Sequence, residues 1–377
     1  MTERNVIVIG AGLAGLYAAH LLRQNGIHAL LIEARARLGG RIMTVDANGT
    51  PCDDGFDLGP SWFWPDMQPD IAALVTELGL PAFRQHSAGD VVFERMSREQ
   101  SQRYRGAGAD TNSMRLAGGS AGLIHALTKT LAPGQIRLGA RVTAMALHEN
   151  GVELTLNGTE TLRAAQVIAA LPPRLLAGSI TCTPAQEPST LQRWRATPTW
   201  MAPHAKFIAL YARPFWRDLG LSGTAQSMVG PLAEMHDATT ASGMAALFGF
   251  VGISAEHRAA MGEAALTRAS LAQLARIFGA EALAPQATLL KDWAADPLTA
   301  TAADRGMGEH ITPDRAPWVT GPWWSHLALA GTETSPTEPG YLSGAVVAAR
   351  RAVSETLAKL TRGGSATANE PADHGET

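Results

Sequence analysis

Cysteine is nearly missing from this sequence. Its 377 residues hold two, Cys52 and Cys182, too few and too far apart for a disulfide framework or a zinc site. An excess of one charge is missing too. Lys and Arg total 31 against 34 Asp and Glu, a formal net charge of -3, which leaves no basic footprint for nucleic acid. No apolar run approaches the roughly 18 to 20 residues of a membrane span. No basic-then-apolar leader precedes the first strand-like run, so the expectation is a cytoplasmic protein without a signal peptide. The eleven histidines form neither an H-E-x-x-H nor an i,i+4 pair, and no metal is expected. No G-x-S-x-G speaks for a serine hydrolase. Tyrosine is scarce, with Tyr17, Tyr104, Tyr211 and Tyr341 the only four.

What is present begins at the N-terminus. Asn5 to Ile9, NVIVI, is a short β-branched run that reads as a buried parallel strand. Gly10-Ala11-Gly12-Leu13-Ala14-Gly15 follows at once as a G-x-G-x-x-G. A helix is expected from about Leu13 to Gln24, stopping at Asn25-Gly26. A second apolar strand, His28 to Ile32, ends at Glu33. Gly10 makes the tight turn, Gly12 lets backbone approach a pyrophosphate, and Gly15 lets helix and strand pack closely. The helix N-terminus turns free N–H groups and a positive dipole end toward phosphate. Glu33 stands where a carboxylate accepts from ribose hydroxyls. Strand, glycines, helix, strand and acid in this order within about thirty residues specify a dinucleotide, NAD or FAD.

Glu33-Ala34-Arg35-Ala36-Arg37-Leu38-Gly39-Gly40-Arg41 adds a second glycine turn just past the acid, and Asp57-Leu58-Gly59-Pro60-Ser61-Trp62 follows. With these stretches the chain resembles the flavin-dependent amine oxidase family, of the monoamine oxidase kind. The resemblance implies an α/β fold, a Rossmann-like FAD-binding domain interleaved with a smaller α+β substrate-binding domain. It implies FAD, held by Gly10, Gly12, Leu13, Ala14, Gly15, Glu33, Ala34, Arg35 and Gly40. Arg41 would lie near the diphosphate, and Leu58, Gly59, Pro60 and Ser61 would pass the flavin. The expected FAD-binding domain comprises residues 1–60, 116–180 and 285–361. The substrate-binding domain comprises 61–115 and 181–284, and 362–377 reads as a disordered tail.

Further along, residues 65–80 read as an amphipathic helix, and 84–114 read as polar and irregular. A helix is expected over about 120–131. Strand-like runs follow at 136–138, 142–148 and 152–156, with Asn150-Gly151 as a hairpin signal. Gln166 to Leu171 is another buried strand. The resemblance gives Val142 a backbone role toward the adenine. The last strand, Leu327 to Ala330, leads into Gly331-Thr332-Glu333-Thr334. Gly340-Tyr341-Leu342-Ser343-Gly344-Ala345 then opens a helix, with Ser343 as a plausible N-cap and Glu355–Lys359 as an i,i+4 pair. In the family, Gly331, Thr332 and Glu333 line the ribityl and phosphate region. Gly340, Tyr341, Leu342 and Ala345 meet the flavin, with Tyr341 as the wall beside the ring.

Lys206 sits inside an apolar strand-like run, HAKFIALY, where an ammonium is costly to bury. It is either a lysine snorkelling from an edge or, as the resemblance implies, the lysine that holds a water next to flavin N5 and aids reaction with oxygen. Trp293 is expected to pack against the flavin region. Two departures from the family lie between Trp293 and Pro313. No cysteine occurs there, so FAD is expected to be non-covalent. No tyrosine occurs there either, so a second cage wall would have to come from Trp62 or Trp64. The implied reaction takes an amine to an imine and then a carbonyl compound, with oxygen reduced to peroxide and Lys206, Tyr341 and Trp293 at the chemistry. No titratable base is required. The partners expected are a small amine and oxygen, with oligomeric state open. Rival readings are an amino-acid oxidase, using Arg95 or Arg115 for a carboxylate, a desaturase, or a flavin-binding isomerase or scaffold without redox activity.

Overall fold

The computed structural model describes residues 3–96, 101–106, 112–306 and 310–367. The chain divides into two compact units. One holds Met1–Leu38, Thr130–Thr197 and Thr312–Thr377, the other Gly39–Lys129 and Pro198–Ile311.

The first unit is built on an eight-stranded sheet. Strand Glu3–Ile9 pairs in parallel with Glu160–Ala169 on one side and Leu30–Ile32 on the other. Val6 to Ile9 are all buried, as a strand covered on both faces requires, and this is why the run lacks polar alternation. Ile136–Arg137 and Leu327–Leu329 join in parallel. Val142–His148 and Gly151–Leu156 form the expected hairpin, with His148 paired to Gly151 across the turn. The helix Leu13–Gln24 runs over the predicted residues and ends at Asn25, where Gly26 adopts a positive φ of 76°.

The C-terminal helix, Leu342–Thr367, buries Val346, Ala349, Ala352 and Val353. It passes residue 362, where a tail was expected to begin. Extending a helix that is already nucleated costs little, even through small residues. Residues 368–377 of that expected tail lie outside the described residues. The expected Glu355–Lys359 pair acts only as neighbouring opposite charges, burial pushing the Lys359 pKa down and Glu355 pulling it up. Glu355 accepts from Arg351, one turn earlier, at 2.7 Å, while Lys359 Nζ donates to Leu327 O at 3.0 Å.

The second unit carries a seven-stranded sheet. Its order is Ala287–Asp292, Ala205–Tyr211, Ala245–Val251, Leu232–Asp237, Leu221–Ser227, Asp90–Glu94 and Gln102–Tyr104. Two-residue alternation sorts its side chains. Phe207, Ala209, Met235 and Leu247 pack with Leu266, Leu274, Ile277 and Phe278, which come from the helix Glu263–Phe278. Ile208, Leu210, Ala246, Phe248 and Leu289 pack on the other face with Val45, Phe56 and Leu58. The stretch 84–114, read as irregular, supplies the strands Asp90–Glu94 and Gln102–Tyr104. Both are short; Gln102–Tyr104 is the edge strand and Asp90–Glu94 its inner neighbour, and in strands this short and this near an edge polar side chains are tolerated and the period-2 signal is weak.

The unit boundaries differ from those expected. Residues 39–60 and 116–129 belong to the second unit, because the Asp57 carboxylate ties them together. Asp57 Oδ1 accepts from Thr44 Oγ1 at 2.6 Å and from Ser120 N and Oγ at 2.8 Å. Strand Ala287–Asp292 pairs with Ala205–Tyr211, which puts residues 285–311 there too. Residues 181–197 go to the first unit, where Trp194 Nε1 donates to Trp318 O at 2.7 Å.

Candidate active site

In the first unit the glycine turn closes as its spacing requires. A Cβ on Gly15 would collide with Gly10 O, so helix and turn approach only because position 15 has no side chain. Gly10 itself adopts a φ of 94°. Gly12 is the N-cap residue, no side chain caps the helix end, and its first turn holds no acid. Leu13, Ala14 and Gly15 are buried there. That end therefore presents backbone N–H groups with no side-chain acceptor. Glu33, buried at the end of its strand, accepts from Ala11 N and Arg35 N, both at 2.8 Å. One carboxylate fastens the glycine turn to the segment after the second strand. Ala34 and Arg35 are half-buried beside it, and Val142 is buried at the start of its strand. These residues fit the nucleotide end of FAD.

The same unit holds the C-terminal constellation. Gly331, Thr332 and Glu333 are buried and Gly340, Tyr341 and Leu342 half-buried. Thr332 Oγ1 donates to Tyr341 O at 2.7 Å, locking the turn to the helix start. The helix begins at Leu342, so Ser343 is not its N-cap. Ser343 Oγ is buried without a partner, and Ala345 is buried one turn in.

In the second unit the functional candidate is Lys206. Its side chain is 4% exposed, and Nζ donates to Gly59 O at 2.7 Å, Ser61 Oγ at 2.9 Å and Asp57 O at 3.0 Å. It also lies over the Phe248 and Phe250 rings, at 4.5 and 5.6 Å. The lysine therefore does not snorkel; it holds the 57–61 segment. Burial pushes its pKa down to about 7, against the opposing pull of Asp57. A group titrating there can be neutral or charged near neutral pH.

Trp293 is buried and donates Nε1 to Leu58 O at 3.0 Å, anchoring the same segment from another side. Gly40, Arg41 and Pro60 are half-buried. Arg41 Nη1 donates to Trp200 O at 3.0 Å. Trp62 donates Nε1 to Gln85 Oε1 at 2.8 Å. Its ring centroid lies 4.8 Å from His236, 5.3 Å from Phe248, 6.3 Å from Phe250 and 6.5 Å from Trp64. Arg115, a candidate for a carboxylate, is buried and donates to Thr239 O and Ala238 O at 2.9 and 3.2 Å. Burial pushes its pKa down. Its guanidinium serves the backbone, whereas Arg95 is exposed.

The sequence reading passed over Phe248, Phe250, Gln85, Glu234 and His236. A signal existed for some of them. Ala246, Phe248 and Phe250 repeat every second residue, and Glu234 and His236 do the same, which places each set on one sheet face.

Among the described residues no group of three or more His, Cys, Asp or Glu could hold a metal ion, and no helix is long and apolar enough to cross a membrane. The sequence profile of the flavin containing amine oxidoreductases matches residues 95–357, and that of the NAD(P)-binding Rossmann-like domain matches 8–78. A probable flavin-containing monoamine oxidase A from Dictyostelium discoideum is 24% identical over 95% of this chain and 98% of its own. An L-amino acid dehydrogenase from Synechocystis is 32% identical over 60% of this chain and 48% of its own. Among solved structures, the cyclohexylamine oxidase of Brevibacterium oxydans matches with a TM-score of 0.79 at 21% identity, over 96% of this chain and 100% of that one. A putrescine oxidase variant matches with a TM-score of 0.79 at 22% identity, over 95% and 99%. These two likenesses show a shared fold. A profile that covers most of the chain, a nucleotide turn whose glycines are sterically required and a buried lysine on an aromatic sheet face agree: the chain belongs to the flavin-containing amine oxidoreductases, FAD-dependent enzymes acting on CH–NH groups.

Proposed function

We propose that this protein oxidises a small amine to an imine, which water hydrolyses to a carbonyl compound and ammonia, with oxygen reduced to hydrogen peroxide. FAD, when bound, supplies the hydride acceptor and returns the electrons to oxygen. The chain's own residues bind, orient and exclude water. Glu33 and the uncapped first turn of the Leu13–Gln24 helix take the nucleotide. Lys206 fixes the Asp57–Ser61 segment and offers a proton-bearing group that titrates near 7. Trp62, Phe248 and Phe250 give an apolar surface for the carbon skeleton of the amine. We further propose that Trp62 supplies the second aromatic wall, since residues 294–312 contain no tyrosine.

The observation that carries this reading is Lys206, buried in a strand and bonded to the backbone of the 57–61 segment. A structural lysine would be far cheaper on the surface. The test is anaerobic mixing of the purified holoprotein with a panel of amines. Bleaching of the flavin absorbance, followed by peroxide release when oxygen is admitted, is the expected result. Absence of bleaching with every amine overturns it.

A second reading rests on the Synechocystis relative, named as an L-amino acid dehydrogenase. It predicts bleaching by amino acids and electron transfer to an acceptor other than oxygen. The commitment of Arg115 to Thr239 O and Ala238 O removes one candidate for binding a carboxylate and favours the amine. Attachment of FAD is proposed to be non-covalent, since residues 294–312 contain no cysteine. Acid precipitation should leave all the flavin in the supernatant.

A further inference from the structure

A cavity of about 390 Å³ lies within the first unit, between residues 314–319, strand Leu327–Leu329 and the Leu342–Thr367 helix. That volume suits a small organic ligand. Residues 331–333 and 340–345, expected at the cofactor, do not line it. Val319, Leu327 and Leu329 form a buried apolar wall, and Trp324 adds a ring that is 48% exposed. Arg351, Glu355 and Lys359 follow at four-residue spacing, so the helix turns one charged stripe to the cavity.

The charges around it do not balance. Two acids, Asp314 and Glu355, stand among four cations: Arg315, Arg351, Lys359 and Arg193, which covers the Trp318 ring at 3.7 Å. Asp314 is already bonded to Arg193 at 2.6 Å and Glu355 to Arg351 at 2.7 Å. Burial is the first cause that pushes the Arg193 and Lys359 pKa values down, and the Arg351 charge adds to it at both. Among the described residues, Trp318 Nε1 and Arg351 Nε in the cavity wall are buried N–H groups without an acceptor, which is costly. The cations are also held in place. Arg351 Nη2 donates to Leu329 O and Thr334 Oγ1 at 2.7 and 2.9 Å. Lys359 Nζ has one acceptor among the described residues, Leu327 O at 3.0 Å, which leaves two N–H groups for a ligand. The same Nζ lies 5.5 Å from the centre of the Trp324 ring.

We infer that this cavity binds an aromatic carboxylate, with its ring against Trp324 and its anion at Lys359. A ring seated on Trp324 covers exposed apolar surface, and a carboxylate beside the ammonium makes a charge-assisted bond. Arg315, exposed at the same cavity, adds to the attraction. The surplus of positive charge disfavours an amine here. Because Arg351 and Lys359 are fixed before the ligand arrives, little freedom is lost on binding.

The test titrates 2-naphthoate into the purified holoprotein in a calorimeter, with 2-naphthamide as the same ring without the charge. Naphthoate should bind at one site per chain, and the amide about tenfold more weakly or not at all. Lys359→Met and Trp324→Ala should each weaken naphthoate by about tenfold or more, while Lys359→Arg, which keeps the charge, should retain most of the affinity. An unchanged flavin spectrum reports that each variant is folded. Equal affinity for acid and amide, wild-type affinity in both Lys359→Met and Trp324→Ala, or no binding at about 1 mM naphthoate overturns the inference. Displacement of naphthoate by an amine that bleaches the flavin puts it in the substrate site and overturns it as well. Calorimetry needs no turnover, so this inference and the amine oxidase reading fail separately.

Discussion

Lys206 Nζ and Ser61 Oγ lie 2.9 Å apart, and the same amine bonds the carbonyls of Asp57 and Gly59. Three acceptors use the three protons of an ammonium. A neutral amine keeps all three contacts by donating to the carbonyls and accepting from the serine. The segment 57–61 is thus held in either protonation state, and the proton can leave without the loop moving.

Lys206→Met removes that proton-bearing group from the unit. Reoxidation of the reduced flavin by oxygen should slow by about 100-fold or more, the lower end of the range for a positioned acid or base. Stopped-flow mixing of reduced enzyme with oxygen measures it. An unchanged rate would show that Lys206 serves the fold alone.

The same substitution carries a pH signature in stability. Burial holds the folded-state pKa near 7 against an ordinary 10.5. Between these values the unfolded chain binds a proton that the folded chain does not. This residue's contribution to stability therefore rises as pH climbs from 7 to 10.5 and is smallest below 7. Urea unfolding across that window should show a steeper rise in the wild type than in Lys206→Met. Parallel curves would mean that the amine is solvated.

Glu33→Gln replaces two acceptor oxygens by one. Ala11 N or Arg35 N then loses its partner, which costs about 1–3 kcal/mol for a buried donor. The apoprotein should unfold at lower denaturant, and FAD should dissociate about tenfold more readily. Fluorescence of released flavin on dilution reads the second effect directly.

Trp293→Phe keeps an aromatic ring, gives up part of the buried indole's volume and deletes the donor to Leu58 O. We expect a loss of about 1–3 kcal/mol in stability, with Lys206 still in place. A Tm equal to the wild type would mean that water or a shifted donor replaces the indole.

Gly15→Ala tests the turn. Its Cβ would collide with Gly10 O, and relief requires the helix to move off the strand. The variant should purify without flavin. A yellow Gly15→Ala protein would show that the turn yields more easily than its packing suggests.

The sequence by itself determined the nucleotide turn, because its elements are local. An apolar strand, glycines at fixed spacing, a helix and an acid all fall within one short stretch, and the C-terminal helix start is local in the same way. Its period-2 apolar run also singled out Lys206 as the odd residue. Tertiary structure decided what surrounds that lysine. Asp57, Gly59 and Ser61 reach it from about 150 residues upstream, and Phe250 and Glu234 reach its row only through strand pairing. Domain boundaries were likewise decided by distant contacts, such as Asp57 with Ser120 and Trp194 with Trp318. Strand register sets which side chains share a face, and register is a property of pairs of distant segments, so no single stretch of sequence displays it.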